Sequence, residues 1–124
     1  MTDMYNDVKK FQIACELNVG TEPKLPNENE RDLRRRLLTE EYNEYMQAES
    51  ENDIVEIADA LADIIYIACG TAVSYGIPLN RVFDEVHQSN MAKLVDGKVR
   101  RRADGKILKP DGWTPPDTKG AVFG

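Results

Sequence analysis

The stretch Arg36-Leu37-Leu38-Thr39-Glu40-Glu41-Tyr42-Asn43-Glu44, followed after a short polar break by Asp53-Ile54-Val55-Glu56-Ile57-Ala58-Asp59-Ala60-Leu61-Ala62-Asp63-Ile64-Ile65-Tyr66-Ile67-Ala68, decides how the chain is read. In the first part Leu33, Leu37, Glu40, Glu44 and Ala48 follow one another at spacings of three or four, so they share one face of a helix. The stripe that would ordinarily face a core turns acidic midway along, with Glu40, Glu41 and Glu44 inside an arc of roughly 100°. The second part is apolar nearly all round, the pattern of a buried helix. Its acids Glu56, Asp59 and Asp63 stand at i, i+3 and i+7, within about 60° of one another. Two consecutive helices therefore carry carboxylates where an interior is expected.

Working outward, the first of these helices is predicted over Glu30 to Ala48, with no Gly or Pro to interrupt it. The second is predicted from Asp53 to Tyr75, with Ser50 or Asn52 as N-cap, and Gly76-Ile77-Pro78 ends it. A short helix over Tyr5 to Leu17 precedes them, and a Pro-containing loop, Thr21 to Asn29, links it to the acidic pair. A fourth helix starts with Pro78 in its first turn and runs through Leu79, Val82, Phe83 and Val86. Past about residue 94 the texture changes. Asp96-Gly97 and Asp104-Gly105 are turn signals around Lys98 to Arg102, and Pro110, Pro115 and Pro116 mark an irregular arm. The arm packs either on its own helices or on a neighbouring subunit.

The 124 residues suit one domain, a helical core over about 5–94 with a C-terminal arm over 95–124. With 41% hydrophobic and 31% charged residues the chain is expected to be folded and soluble. A net charge of −6 argues against a nucleic-acid polymer as partner. The absence of a signal-like N-terminus and of any apolar run of about 18 residues argues for a cytoplasmic protein without a membrane partner. Cys15 and Cys69 lie in apolar surroundings without a metal or redox motif, and are expected as buried free thiols.

Unpaired buried carboxylates are costly, and few cations lie on the second acidic helix to offset them. Either the acids form a solvated helix face or pair with Arg34, Arg35 and Arg36, or a metal ion neutralises them. Ligands that are all oxygen suit Mg²⁺, or Mn²⁺ in its place.

Glu41-x-x-Glu44 on one helix with Glu56-x-x-Asp59 on the next resembles the metal-binding signature of the MazG-like, all-α nucleoside triphosphate pyrophosphatase superfamily. The Leu37-Leu38-Thr39-Glu40-Glu41 approach, the Ala58-to-Asp63 run and the His87-Gln88-Ser89-Asn90-Met91-Ala92-Lys93 segment carry the same resemblance, over roughly residues 8 to 94. The Gly105-Lys106 and Pro115-Pro116 region is more loosely similar to phosphoribosyl-ATP-pyrophosphohydrolase-like members.

The resemblance implies an all-α, four-helix MazG-like bundle completed by a homodimer or homotetramer. It implies Mg²⁺-dependent hydrolysis of a (d)NTP to (d)NMP and pyrophosphate, with phosphoribosyl-ATP as competing substrate and a non-catalytic metal or nucleotide sensor as the alternative. It makes Glu41, Glu44, Glu56 and Asp59 the main metal ligands, with Asp63 placed to join them. Glu40 is then the group for activating water or binding a further metal, with Glu41 beside it in the catalytic set. Asn90 and Lys93, three apart at the end of helix four, offer an amide and an ammonium to a small-molecule nucleotide, and Lys106 and Lys109 in the arm can reach phosphates. His87, the single histidine, is read as structural or peripheral.

Overall fold

The computed structural model describes residues 2–124, and it is all-helical. The elements are α1 (Met4–Ala14), α2 (Glu28–Ser50), α3 (Ile54–Tyr75), α4 (Leu79–Met91) and α5 (Thr118–Phe123). Two isolated bridges, Val95 with Lys98 and Arg101 with Ile107, are the β-type pairings among the described residues. The chain divides into two compact units, one up to Ile77 and one from Pro78 to Gly124.

In the first unit α3 is the central element, packing on both α2 and α1. Each helix begins at a side chain that accepts an otherwise orphaned backbone N–H: Asp3 for α1, Asn27 for α2 and Asp53 for α3. Asp53, rather than Ser50 or Asn52, caps α3. Ser50 is still in α2, where its hydroxyl donates to the Gln47 carbonyl, and Asn52 takes the left-handed turn with φ 55°. Asp53 Oδ1 then accepts from Val55 N and Glu56 N, at 3.1 Å each. The three-residue connection Glu51–Asp53 folds α2 and α3 into an antiparallel hairpin.

The core of this unit is built from small residues: Val8, Ala48, Ala60, Cys69, Ala72 and Val73 are buried. It also encloses a polar cluster. Gln12 Nε2 donates to the Asn18 carbonyl (3.1 Å) and Ser74 Oγ (3.2 Å), and Arg34 Nη2 donates to Gln12 Oε1 (3.0 Å) and Ser74 Oγ (3.4 Å). Gly70 gives this cluster its space, since a Cβ there would sit 2.6 Å from Gln12 Oε1 and 3.0 Å from Arg34 Nη1.

The loop between α1 and α2 is strapped to the end of α3 by Gly20 N to the Val73 carbonyl and Lys24 N to the Tyr75 carbonyl, both 2.9 Å. Backbone meets backbone here. A Cβ on Gly20 would collide with Gly76, and one on Gly76, the left-handed cap of α3 at φ 68°, would collide with Glu22.

Burial of α3 is one-sided along its length, against the expectation of a helix buried throughout. Cys69, Gly70, Ala72, Val73 and Ser74 near its end are buried, whereas Ile54 is 75% and Val55 71% exposed at its start. Cys69 is buried as expected, but Cys15 is exposed: α1 stops at Ala14 instead of reaching Leu17, and Glu16 at φ 58° turns the chain away.

In the second unit the arm folds back on its own helix. Trp113 Nε1 donates to the Ser89 carbonyl (2.7 Å), Asp117 N to Glu85 Oε1 (3.1 Å) and Arg81 Nε to the Ala121 carbonyl (2.6 Å). Gly97 (φ 74°) and Gly105 (φ 91°) make the two turns signalled in the sequence. The arm is not irregular to its end. Asp117 accepts from Gly120 N and opens α5, whose Ala121 is buried.

Candidate metal centre

The arginines of α2 are engaged elsewhere than with the acidic stripe. Arg31 and Arg35 pair with Glu28 (3.3 and 2.7 Å), Arg36 Nε pairs with Asp32 (3.0 Å), and Arg34 enters the Gln12–Ser74 cluster. These bonds sit in the first half of α2, so among the described residues no ion pair reaches Glu40, Glu41, Glu44, Glu56, Asp59 or Asp63.

Antiparallel pairing of α2 and α3 then brings the acids together. Glu41 and Glu44 from α2 and Asp63 from α3 each offer a carboxylate oxygen within 4.8 Å of the other two. Next to them a pocket of about 170 Å³ is lined by Glu44, Glu56 and Asp59, together with Gln47, Ala48, Glu51 and Ala60. Glu44 belongs to both groupings. Five of the six acids singled out in the sequence therefore gather along one seam, and Asp63 lies in the tightest grouping while Glu56 and Asp59 extend it. Glu40 is exposed and belongs to neither.

Glu41 is the strained member. Its Oε2 is buried with no donor to meet it. Burial, and then the negative charges of Asp63 and Glu44, push its carboxyl up to about 7. Those neighbours can hydrogen-bond Glu41 only while Glu41 keeps its proton. A hard divalent cation would meet the orphaned oxygen and offset two of the three negative charges, and its binding at neutral pH would displace that proton. The donor set is oxygen throughout, which fits such an ion.

A model of the phosphoribosyl-ATP pyrophosphohydrolase family matches residues 8–90. The chain belongs to that family. It is a pyrophosphohydrolase of the MazG-like, all-α superfamily, and the matched span contains the whole acidic seam. Comparison with curated proteins finds none that matches.

The remaining residues of interest lie in the second unit. Asn90 Oδ1 accepts from Lys93 Nζ at 2.9 Å, and the exposed Lys106 sits in the turn closed by Arg102 and Asp104. His87 stacks on Phe83 with ring centroids 6.4 Å apart, a surface contact within α4. Sequence reading did not find the contact of Lys93 and Lys109 with Trp113, at 5.6 and 4.7 Å from the ring centroid. Trp113 is 20 residues beyond Lys93, so no periodic signal connects them.

Proposed function

We propose that the protein hydrolyses a nucleoside triphosphate, (d)NTP, to the monophosphate and pyrophosphate, with Mg²⁺ as cofactor and Mn²⁺ as substitute. The convergence of Glu41, Glu44 and Asp63 within 4.8 Å, with no ion pair to any of them among the described residues, carries this reading. These three, extended by Glu56 and Asp59, would hold the metal. A divalent ion there would neutralise phosphate oxygens and make a bound water more acidic. Glu40, beside the seam and with no hydrogen bond or ion pair among the described residues, is the free carboxylate that takes the proton of the attacking water. Asn90, Lys93 and Lys106 are assigned to the nucleotide's sugar and phosphates.

The exposed start of α3, with Ile54, Val55 and Leu61, and the exposed Tyr42 and Met46 on α2, supports a homodimer or homotetramer. No helix among the described residues is long and apolar enough to cross a membrane. The decisive assay is pyrophosphate release from the eight common NTPs and dNTPs with Mg²⁺ or Mn²⁺. Monophosphate and pyrophosphate as the two products are expected, and no turnover of any of the eight would sink the proposal. The description of the matched family favours phosphoribosyl-ATP as a second reading, so that compound is assayed beside them.

A further inference from the structure

The arm of the second unit carries the same dipeptide three times, Asp96-Gly97, Asp104-Gly105 and Asp111-Gly112, each exposed and each in a turn. Aspartate before glycine is open to a reaction with its own main chain. The glycine nitrogen attacks the aspartate Cγ, with no glycine side chain to shield it, and a five-membered imide forms with loss of one water. Water then opens the imide at either carbonyl. One opening restores aspartate; the other leaves isoaspartate, with the main chain running through Cβ and the α-carboxylate free. Mass and oxidation state end unchanged, and water is the sole co-reactant.

The fold treats the three pairs differently. At Asp104-Gly105 both reacting groups are held: the Asp104 carboxylate accepts from Arg102 Nε (3.0 Å), Arg102 Nη2 and Lys106 N (3.1 Å), and Gly105 N donates to the Arg102 carbonyl (2.8 Å). The Arg102 bonds, and then the Lys106 backbone, keep that carboxyl below the usual aspartate range, so the uncharged acid, the better electrophile, is scarce. The other two turns are closed by their flanks instead. Val95 and Lys98 exchange backbone bonds of 2.7 and 3.0 Å around Asp96-Gly97, and Trp113 N donates to the Pro110 carbonyl (3.1 Å) around Asp111-Gly112. Among the described residues the Asp96 and Asp111 carboxylates have no hydrogen bond or ion pair, and the N–H groups of Gly97 and Gly112 have no acceptor. A Cβ on any of the three glycines would meet nothing within 4 Å, so crowding does not separate the pairs and hydrogen bonding does.

We propose that Asp96-Gly97 and Asp111-Gly112 are sites of spontaneous isoaspartate formation in the folded protein, and that the bonds around Asp104-Gly105 protect the third pair. Conversion at Asp111 inserts a methylene into the main chain two residues before Trp113, whose indole N–H is held by the Ser89 carbonyl at 2.7 Å. That tether between the arm and α4 is the contact this ageing loosens. The chemistry is independent of the hydrolase reading.

The experiment incubates the full-length protein at neutral pH and physiological temperature. Isoaspartate is then counted by methyl transfer from a labelled donor with an isoaspartate-specific carboxyl methyltransferase. Cleavage after Lys and Arg places the three pairs on separate peptides, so each is scored by itself. Releasing a charge-assisted bond and a backbone bond before reaction should slow Asp104 at least about tenfold against the other two. In denaturant, where those bonds are lost, the three should react at similar rates. Arg102→Ala, an exposed substitution, should speed conversion at Asp104 in the folded protein, and Asp111→Glu should remove the label from its own peptide while Asp96 keeps the wild-type rate. Absence of label at both Asp96 and Asp111 overturns the sites. Equal rates at all three pairs in the native protein, a slow Asp104 in denaturant as well, or no gain at Asp104 in Arg102→Ala overturns the protection.

Discussion

Arg34 and Glu41 stand seven residues apart on the same face of α2, about 10 Å along its axis, and the fold treats them in opposite ways. Arg34 is 9% exposed, and its Nη2 donates to two neutral partners, Gln12 and Ser74, while its Nε is buried without an acceptor. Burial still lowers its pKa, with Glu30 and Tyr75 acting against that shift. Glu41 meets only other acids, and an oxygen of its carboxylate goes without a donor. A hairpin built only for stability would pair these opposite charges. Here the cationic end is met from within by dipoles at Nη2, whereas the acidic end meets only like charge. The first we read as structure and the second as the proposed metal site.

The largest effect that tests this contrast is at the acidic end. Glu44→Gln or Asp63→Asn should cut metal-supported pyrophosphate release about 10³-fold, or about 4 kcal/mol of transition-state stabilisation, with thermal stability unchanged or raised. Full activity in both variants would place the metal elsewhere.

Next in size, Arg34→Ala should lower unfolding free energy by about 3 kcal/mol, because Gln12 and Ser74 lose a charged donor and the core loses the side chain's stem. Denaturant melts measure this. Metal affinity, followed by calorimetry, should stay at the wild-type value; a parallel fall would mean that the two ends are not separate.

Gly70→Ala should cost less, about 1 kcal/mol net, as crowding of Gln12 and Arg34 outweighs the gain in helix propensity. A stabilised variant in the same melts would show the cluster to be loosely packed.

The last effect is in pH. Glu41 has an ordinary value of 4.5, raised to about 7 in the fold, so between these the native state binds more protons than the unfolded one. The metal-free protein should therefore lose stability as pH rises from about 4.5 to about 7, with the penalty complete above that range. Melting temperature against pH should slope less in Glu41→Gln, and less in wild type with Mg²⁺. Identical slopes in all three would remove Glu41 from this role.

Much of this was legible in the sequence. The acids of α2 and α3 repeat at helical spacing, and a three-residue break between the helices forces them to face one another, so periodicity alone gathers them. Asp63, ranked below Glu56 and Asp59 on resemblance, lies in the tightest group because the distance between carboxylates depends on how the two helices pack. The cluster of Gln12, Arg34 and Ser74 was not legible at all, since its members come from three helices and Gln12 and Ser74 are 62 residues apart. Nor was the bareness of Ile54 and Val55, because composition says that a residue is apolar and not whether this chain alone has enough surface to cover it. Cys15 was misread for a local reason: the left-handed Glu16 ends α1 three residues before the apolar pattern does.

The contact of Gly20 and Gly76 also bears on how the chain comes off the ribosome. The loop after α1 is made early, but the backbone it rests on, Val73 to Gly76, is made some fifty residues later. Until then α1 and its loop have nothing to close against, and Val8 and Gln12, buried in the fold, stay uncovered in a nascent chain that is already carrying the acids of α2. The α3 cap at Gly76 is thus the point along the chain at which the first unit has all the parts it needs to lock, ahead of α4.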